Sequence, residues 1–165
     1  MQESGLSADT LARLARLLET EAIRDLKLRY AHFMDNLLID QLAGLFTEDA
    51  QCHFGPYGEW SGRAAIRQNF AAVMAETVKA TFGSMHHICN HRVDIIDESS
   101  ATGRSYLIDV MTERRPDENP VLLYGLYDER YRKVEGNWKI SFSRIHFLWP
   151  QREVDDAMLS EPVGS

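Results

Sequence analysis

The chain has few cysteines, no long apolar run and no surplus of positive charge. Its two cysteines, Cys52 and Cys89, sit in apolar strand-like runs and read as buried free thiols. Two cysteines do not make the dense framework of a disulfide-stapled scaffold. No stretch approaches the roughly 18 apolar residues of a membrane span. The segment Met1–Thr10 is polar and lacks the apolar core of a secretory signal. The chain therefore reads as a cytoplasmic protein with no membrane partner. Eighteen Lys and Arg stand against 25 Asp and Glu, a net charge of −7. That balance argues against a nucleic-acid partner, which needs a basic footprint. Also missing are a nucleophile elbow, a phosphate-binding loop, a dinucleotide fingerprint and a C-x-x-C pair. These absences argue against the hydrolase, kinase and redox classes.

What is present describes an ordinary globular chain. At 165 residues, 44% hydrophobic and 26% charged, it is long enough to bury a real core. We read one domain over 1–165, with an ordered core over about 8–150 and a polar tail over 151–165. Ser7 can cap a first helix whose stripe is Leu11, Leu14, Leu17 and Leu18. A second helical pattern starts at Glu21, with Ile23, Leu26, Tyr30, Phe33, Met34 and Leu37 at three- and four-residue steps. A short helix over Ile39–Phe46 follows, ended by Thr47-Glu48-Asp49. Then come a short strand over Gln51–Phe54, a Gly55–Gly58 loop and a long helix from Ser61 or Gly62.

The periodicity then changes to that of strands. Four are expected: Ser84–Ile96, Ala101–Glu113, Val121–Val134 and Trp138–Trp149. A loop at 116–120 and a hairpin turn at Glu135-Gly136-Asn137 separate the later ones. Helices first and hairpin-linked strands after them predict an α+β fold. An antiparallel sheet curling around helices leaves a cone-shaped cavity, a favoured setting for ligands.

Three of the six histidines fall within Ser84–His91, at the start of the first long strand. Histidine titrates near neutrality and moves protons at working pH. His86 and His87 point to opposite faces of a regular strand. Parity groups His87 with Val93 and Ile95, and His86 with Ile88 and Ile96, so alternation alone does not choose between them. Asp35 lies near a helix C-terminus, an electrostatically poor place for a carboxylate. Asp109 shares a strand face with Leu107 and Met111, where burial would raise its pKa. The plainer alternatives are a structural histidine, a core tyrosine at Tyr30 and surface charges at Asp35 and Asp109. The histidine spacing matches no common zinc motif, and no metal site is assigned. Arg144 and His146 share a face of the last strand and are candidate substrate contacts, as is His87.

Taken together, Glu21–Tyr30 (EAIRDLKLRY) with Asp35, Ser84-Met85-His86, and Ala101–Asp109 (ATGRSYLID) resemble the SnoaL-like and scytalone dehydratase-like group. That group belongs to the nuclear transport factor 2-like superfamily. Within it the three segments are similar to those of bacterial bile-acid 7α-dehydratases. The resemblance covers most of residues 20–140. It implies a cone-shaped α+β barrel, N-terminal helices packed on a curved, mainly antiparallel sheet, and chemistry without metal or cofactor. It places the group's catalytic histidine on His86, four residues before Asn90, and the helix aspartate on Asp35. The tyrosine falls on Tyr30 and the strand aspartate on Asp109. The dehydratases' arginine near the end of the last strand falls on Phe147 here, with Arg144 the nearest arginine.

The expectation is then a cofactor-independent lyase of dehydratase type. It would act on a small hydrophobic cyclic hydroxy-carbonyl compound that is steroid-, polyketide- or aromatic-like. His86, oriented by Asp35, would take a proton beside the carbonyl; Tyr30 and Asp109 would assist the oxygen and the leaving water. An isomerase or cyclase would use the same groups, and a non-catalytic ligand-binding module needs none of them. The broad sheet face predicts a homodimer or homotrimer.

Overall fold

The computed structural model describes residues 6–77, 83–112 and 121–150. The loop expected at 116–120 and the tail at 151–165 lie outside the described residues. Helix α1 is one continuous 28-residue element, Ala8–Asp35, rather than two. No proline or glycine interrupts Glu19–Ala22, so nothing breaks the backbone ladder there. Ser7 caps it, its hydroxyl accepting the Thr10 N–H at 3.2 Å.

Helix α2 is Ile39–Ala43, and strand β1 already begins at Phe46 and runs to His53. Thr47-Glu48-Asp49 therefore lies inside a strand instead of ending a helix. The cause is long-range: β1 pairs parallel with the last strand, a partnership that local propensity does not reveal. A three-residue strand β2, Glu59–Ser61, was not anticipated; it pairs back onto β1. Helix α3 is Arg63–Thr77. Strands β3 (Gly83–Ile95), β4 (Ser100–Thr112), β5 (Val121–Val134) and β6 (Asn137–Trp149) lie within a residue or two of expectation.

The six strands form one sheet in the order β2-β1-β6-β5-β4-β3. All neighbouring pairs are antiparallel except β1 with β6. Helix α1 runs along β3 in the opposite direction. Its Arg16 donates to the Ile95 carbonyl at 3.2 Å near one end, and Asp35 meets His86 near the other. Ile23, Leu26, Leu42, Phe46, Ile66 and Ile140 are at most 1% exposed and form the packed floor of the cone. Burying each such side chain contributes about 1.5–3 kcal/mol. Among the described residues, no helix is long and apolar enough to cross a membrane.

Strand β3 carries an irregularity that decides which histidine turns inward. Cys89 pairs with Tyr106, but Arg92 pairs with Arg104, so Asn90 and His91 together oppose a single residue. Asn90 sits at φ 51, a conformation asparagine tolerates better than most residues. The bulge reverses parity. His86 and Ile88 before it share the inner face with His91, Val93 and Ile95 after it, while His87 turns outward and is exposed. The simple alternation that grouped His87 with Val93 and Ile95 fails for this reason.

Candidate active site

Three elements bring the polar groups together. The last turn of α1 supplies Asp35, the start of β3 supplies Ser84 and His86, and β4 supplies Asp109. His86 and Asp109 are direct cross-strand partners, which sets both side chains on one face. Asp35 Oδ1 lies 2.6 Å from His86 Nδ1, and the same carboxylate accepts the His86 backbone N–H at 3.0 and 3.1 Å. The Nδ1–H proton is thereby assigned toward Asp35, leaving Nε2 with its lone pair. His86 Nε2 is 3.7 Å from Asp109 Oδ2, too far for a direct hydrogen bond and suited to an intervening oxygen.

Asp109 is 6% exposed, and Ser84 donates to its Oδ1 at 3.0 Å. Burial pushes its carboxyl above the usual range, against the pull of the neighbouring His86. Tyr30 and Tyr127 place their hydroxyls 3.5 Å apart on the far wall. Burial raises both phenols, so both stay protonated and able to donate.

These groups face a cavity of about 130 Å³. Most of its remaining lining is apolar, including Met34, Trp60, Phe70, Leu107, Ile145 and Phe147. No lysine or arginine among the described residues lines it. Asp35 stands behind His86 and is not part of the lining. Such an arrangement can move protons: it sets an oriented imidazole, a carboxyl raised by burial and neutral phenols together in low dielectric.

A family model for the SnoaL-like domain matches residues 15–144. The chain belongs to the SnoaL-like domain family. Solved structures agree with the fold of this SnoaL-like domain. One, from Novosphingobium aromaticivorans, is described provisionally as a scytalone dehydratase. It is 25% identical, with a TM-score of 0.72, covering 91% of this chain and 96% of that one. A second from the same organism is described provisionally as an aromatic ring hydroxylase. It is 29% identical, with a TM-score of 0.69, covering 81% and 92%. A third from that organism, a nuclear transport factor 2-like protein with a cystatin-like fold, is 23% identical. Its TM-score is 0.72, with 94% and 98% covered. A search of curated proteins finds no match.

The structure of this SnoaL-like domain corrects three expected substrate contacts. His87, Arg144 and His146 stand on the outer sheet face and do not line the cavity. For His87 the cause is the inward turn of His86. For β6 it is strand parity: Ser143, Ile145 and Phe147 point inward, and Arg144 and His146 alternate away from them. Arg144 approaches His53 at 3.2 Å, while His146 and Arg104 share Asp128. Phe147 does line the cavity, so no cation enters from β6. Trp60 is a cavity residue as well as a core one, whereas Trp149 is 55% exposed. Cys52 is buried as expected, but Cys89 is only partly buried; both are free. Among the described residues, no group of three or more His, Cys, Asp or Glu side chains is arranged to hold a metal ion.

Sequence reasoning missed Tyr127 and the pair beneath it. Lys27 Nζ lies 2.8 Å from Glu129 Oε1, with side chains 0% and 1% exposed. Lys27 also sits over the Tyr127 ring at 3.4 Å and the Tyr30 ring at 4.2 Å. Tyr131 and Ser143 donate to the same carboxylate at 2.7 and 2.9 Å, and His91 Nε2 meets the Tyr131 hydroxyl at 3.2 Å. A signal existed. Position 27 lies on the stripe between Ile23 and Tyr30, and Glu129 lies on the strand face of Tyr127 and Tyr131. A charge at each of two core positions predicts a partner.

Proposed function

We propose that this SnoaL-like domain is a cofactor-independent dehydratase-type lyase. Its substrate is a neutral, hydrophobic cyclic hydroxy-carbonyl compound of steroid, polyketide or aromatic type. The observation that carries this reading is the 2.6 Å contact between Asp35 and His86, set at the edge of an apolar cavity. His86 Nε2 takes the proton from the carbon beside the carbonyl, and Asp35 stabilises the imidazolium that forms. Tyr30 and Tyr127 donate to the oxygen on which enolate charge develops. Asp109, whose carboxyl burial raises, gives its proton to the departing hydroxyl, which leaves as water. The bond to the leaving oxygen breaks as the new carbon–carbon double bond forms, and the site takes up one proton and releases one.

An isomerase or cyclase begins with the same proton abstraction and differs only in where the electron pair goes. A binding module without chemistry has no use for an aspartate held against an imidazole. Incubating the protein with hydroxy-ketone steroids and polyketide-like aromatics, and following loss of water by mass, separates the three. A mass-neutral product points to isomerase or cyclase. Saturable binding without any product overturns the enzyme reading. We further infer that a homodimer or homotrimer covers the outer sheet face, where Tyr106, Ile108, Tyr124 and Trp149 are exposed. A monomer by sedimentation at micromolar concentration removes that part.

A further inference from the structure

A second hollow, of about 360 Å³, lies away from the cone's cavity. It is enclosed by α1, by Leu45 just before β1, and by the turn and start of the β5–β6 hairpin. Leu18, Ala22, Leu26 and Leu45 form its apolar walls, and Arg29, Lys133 and Lys139 bring three cations to it. The acid among the lining residues, Glu19, is already engaged. Its carboxylate takes the Lys133 ammonium at 2.7 Å and the Trp138 indole N–H at 2.6 Å. Arg29 meets Asp25 through Nε at 2.9 Å, and that partner is itself exposed. Nε is one of the five donors of the guanidinium.

Lys139 differs from the others. Its ammonium donates to the Gly44 carbonyl, and it makes no ion pair among the described residues. Burial, and then the charges of Arg63 and Arg29, press its pKa downward. Of these two guanidiniums, Arg63 is paired with Glu48 and Arg29 with the exposed Asp25, which leaves Lys139 as the cation at the hollow without a carboxylate of its own among the described residues. A crowded cation of this kind is relieved by an anion.

The hollow also opens onto an apolar track. Leu18 is 70% exposed, and Leu14 and Leu11 continue its helix face at steps of four and three, at 42% and 54%. These three leucines span roughly 10 Å along the axis at the helical rise. An exposed leucine stripe leading away from an anion-seeking cluster matches a ligand with a charged head and a hydrocarbon tail.

We propose that this hollow binds an alkyl carboxylate, its head on Lys139 and Arg29 and its chain along Leu18, Leu14 and Leu11. The site is separate from the cone's cavity and does not depend on the reaction proposed there.

The test uses the full chain, labelled for amide NMR, and titrates decanoate below its micelle concentration. Butyrate and inorganic phosphate serve as head-group controls. Decanoate is expected to shift the amides of Leu18, Ala22, Gly136 and Asn137 saturably, and butyrate to bind at least about tenfold more weakly. Two double variants follow: Arg29→Gln with Lys139→Gln, and Leu14→Ser with Leu18→Ser. Each is expected to weaken decanoate by about tenfold or more. The leucine pair lies on exposed helix surface, so it tests the site even if loss of Lys139 disturbs folding. Shifts confined to cavity residues such as Tyr127 and Met111 would overturn the proposal. So would phosphate binding as tightly as decanoate, unchanged affinity in the leucine pair, or no saturable shift at all.

Discussion

Asp35 holds His86 at two points: Oδ1 lies 2.6 Å from the ring Nδ1, and both carboxylate oxygens accept the His86 backbone N–H. The ring is thus oriented from its own main chain, and the carboxylate is held where the helix dipole disfavours it. Asp35→Asn keeps the shape but loses the charge that stabilises an imidazolium. We expect kcat to fall by about 10²–10⁴-fold, with a similar loss in His86→Ala. Steady-state kinetics on the substrate found by the mass screen checks this. Near-wild-type turnover in both variants rules out the dyad.

Asp109 makes the pH profile informative. Its carboxyl is raised by burial, so the protonated form needed for donation persists above the usual carboxylate range. Activity is therefore expected to decline as pH rises through that raised value. In Asp109→Asn the decline should vanish, on a rate lowered by about 10²-fold or more. A pH–kcat series on both proteins shows whether the alkaline limb belongs to Asp109.

The Lys27–Glu129 pair is buried, so removing one partner strands the other. Lys27→Met is expected to cost about 3–5 kcal/mol in urea unfolding. Adding Glu129→Gln removes the stranded charge while keeping an acceptor for Tyr131 and Ser143. The double variant should be more stable than Lys27→Met alone. The opposite order would mean that the pair is not the unit we describe.

His91 gives stability its own pH dependence. Burial pushes its pKa down to about 4, from the 6.5 of a free histidine. The unfolded chain then binds a proton between these values that the folded chain refuses. Stability from this group is complete above about pH 6.5 and is lost as pH falls toward about 4, at roughly 1.4 kcal/mol per pH unit. Asp109 works in the other direction, since its raised pKa favours the folded state at low pH. The measurement is therefore the difference between wild type and His91→Gln in chemical unfolding from pH 7 to pH 4. Parallel curves would contradict the assignment.

How much of this was legible beforehand varies by element. Strands β3 to β6 were readable because each is a long run with strand-forming residues between clear turn signals. Helix α3 and the Ser7 cap were readable for the corresponding helical reasons. Strand β1 was read short and β2 was not read at all. Their pairing partners lie far away in sequence, and β1 is held by a parallel partner that local pattern does not announce. Arg144 and His146 were placed on the correct common face of β6, but which face looked inward was not decidable from alternation.

By itself the sequence determined the α+β class, the bounds of the four long strands and the candidate groups for the centre: one aspartate on a helix, one on a strand, and a pair of adjacent histidines of which one turns inward. Local periodicity carries that information, because side-chain direction follows from 3.6- and 2-residue repeats. Alternation left the choice of histidine open where the family resemblance took His86, and the tertiary structure supplied the physical reason: the Asn90 bulge reverses the parity of β3. Tertiary structure alone joined Lys27 to Glu129 and set Tyr127 beside Tyr30. Those contacts link residues about a hundred positions apart, and only the closing of the sheet over α1 brings them together.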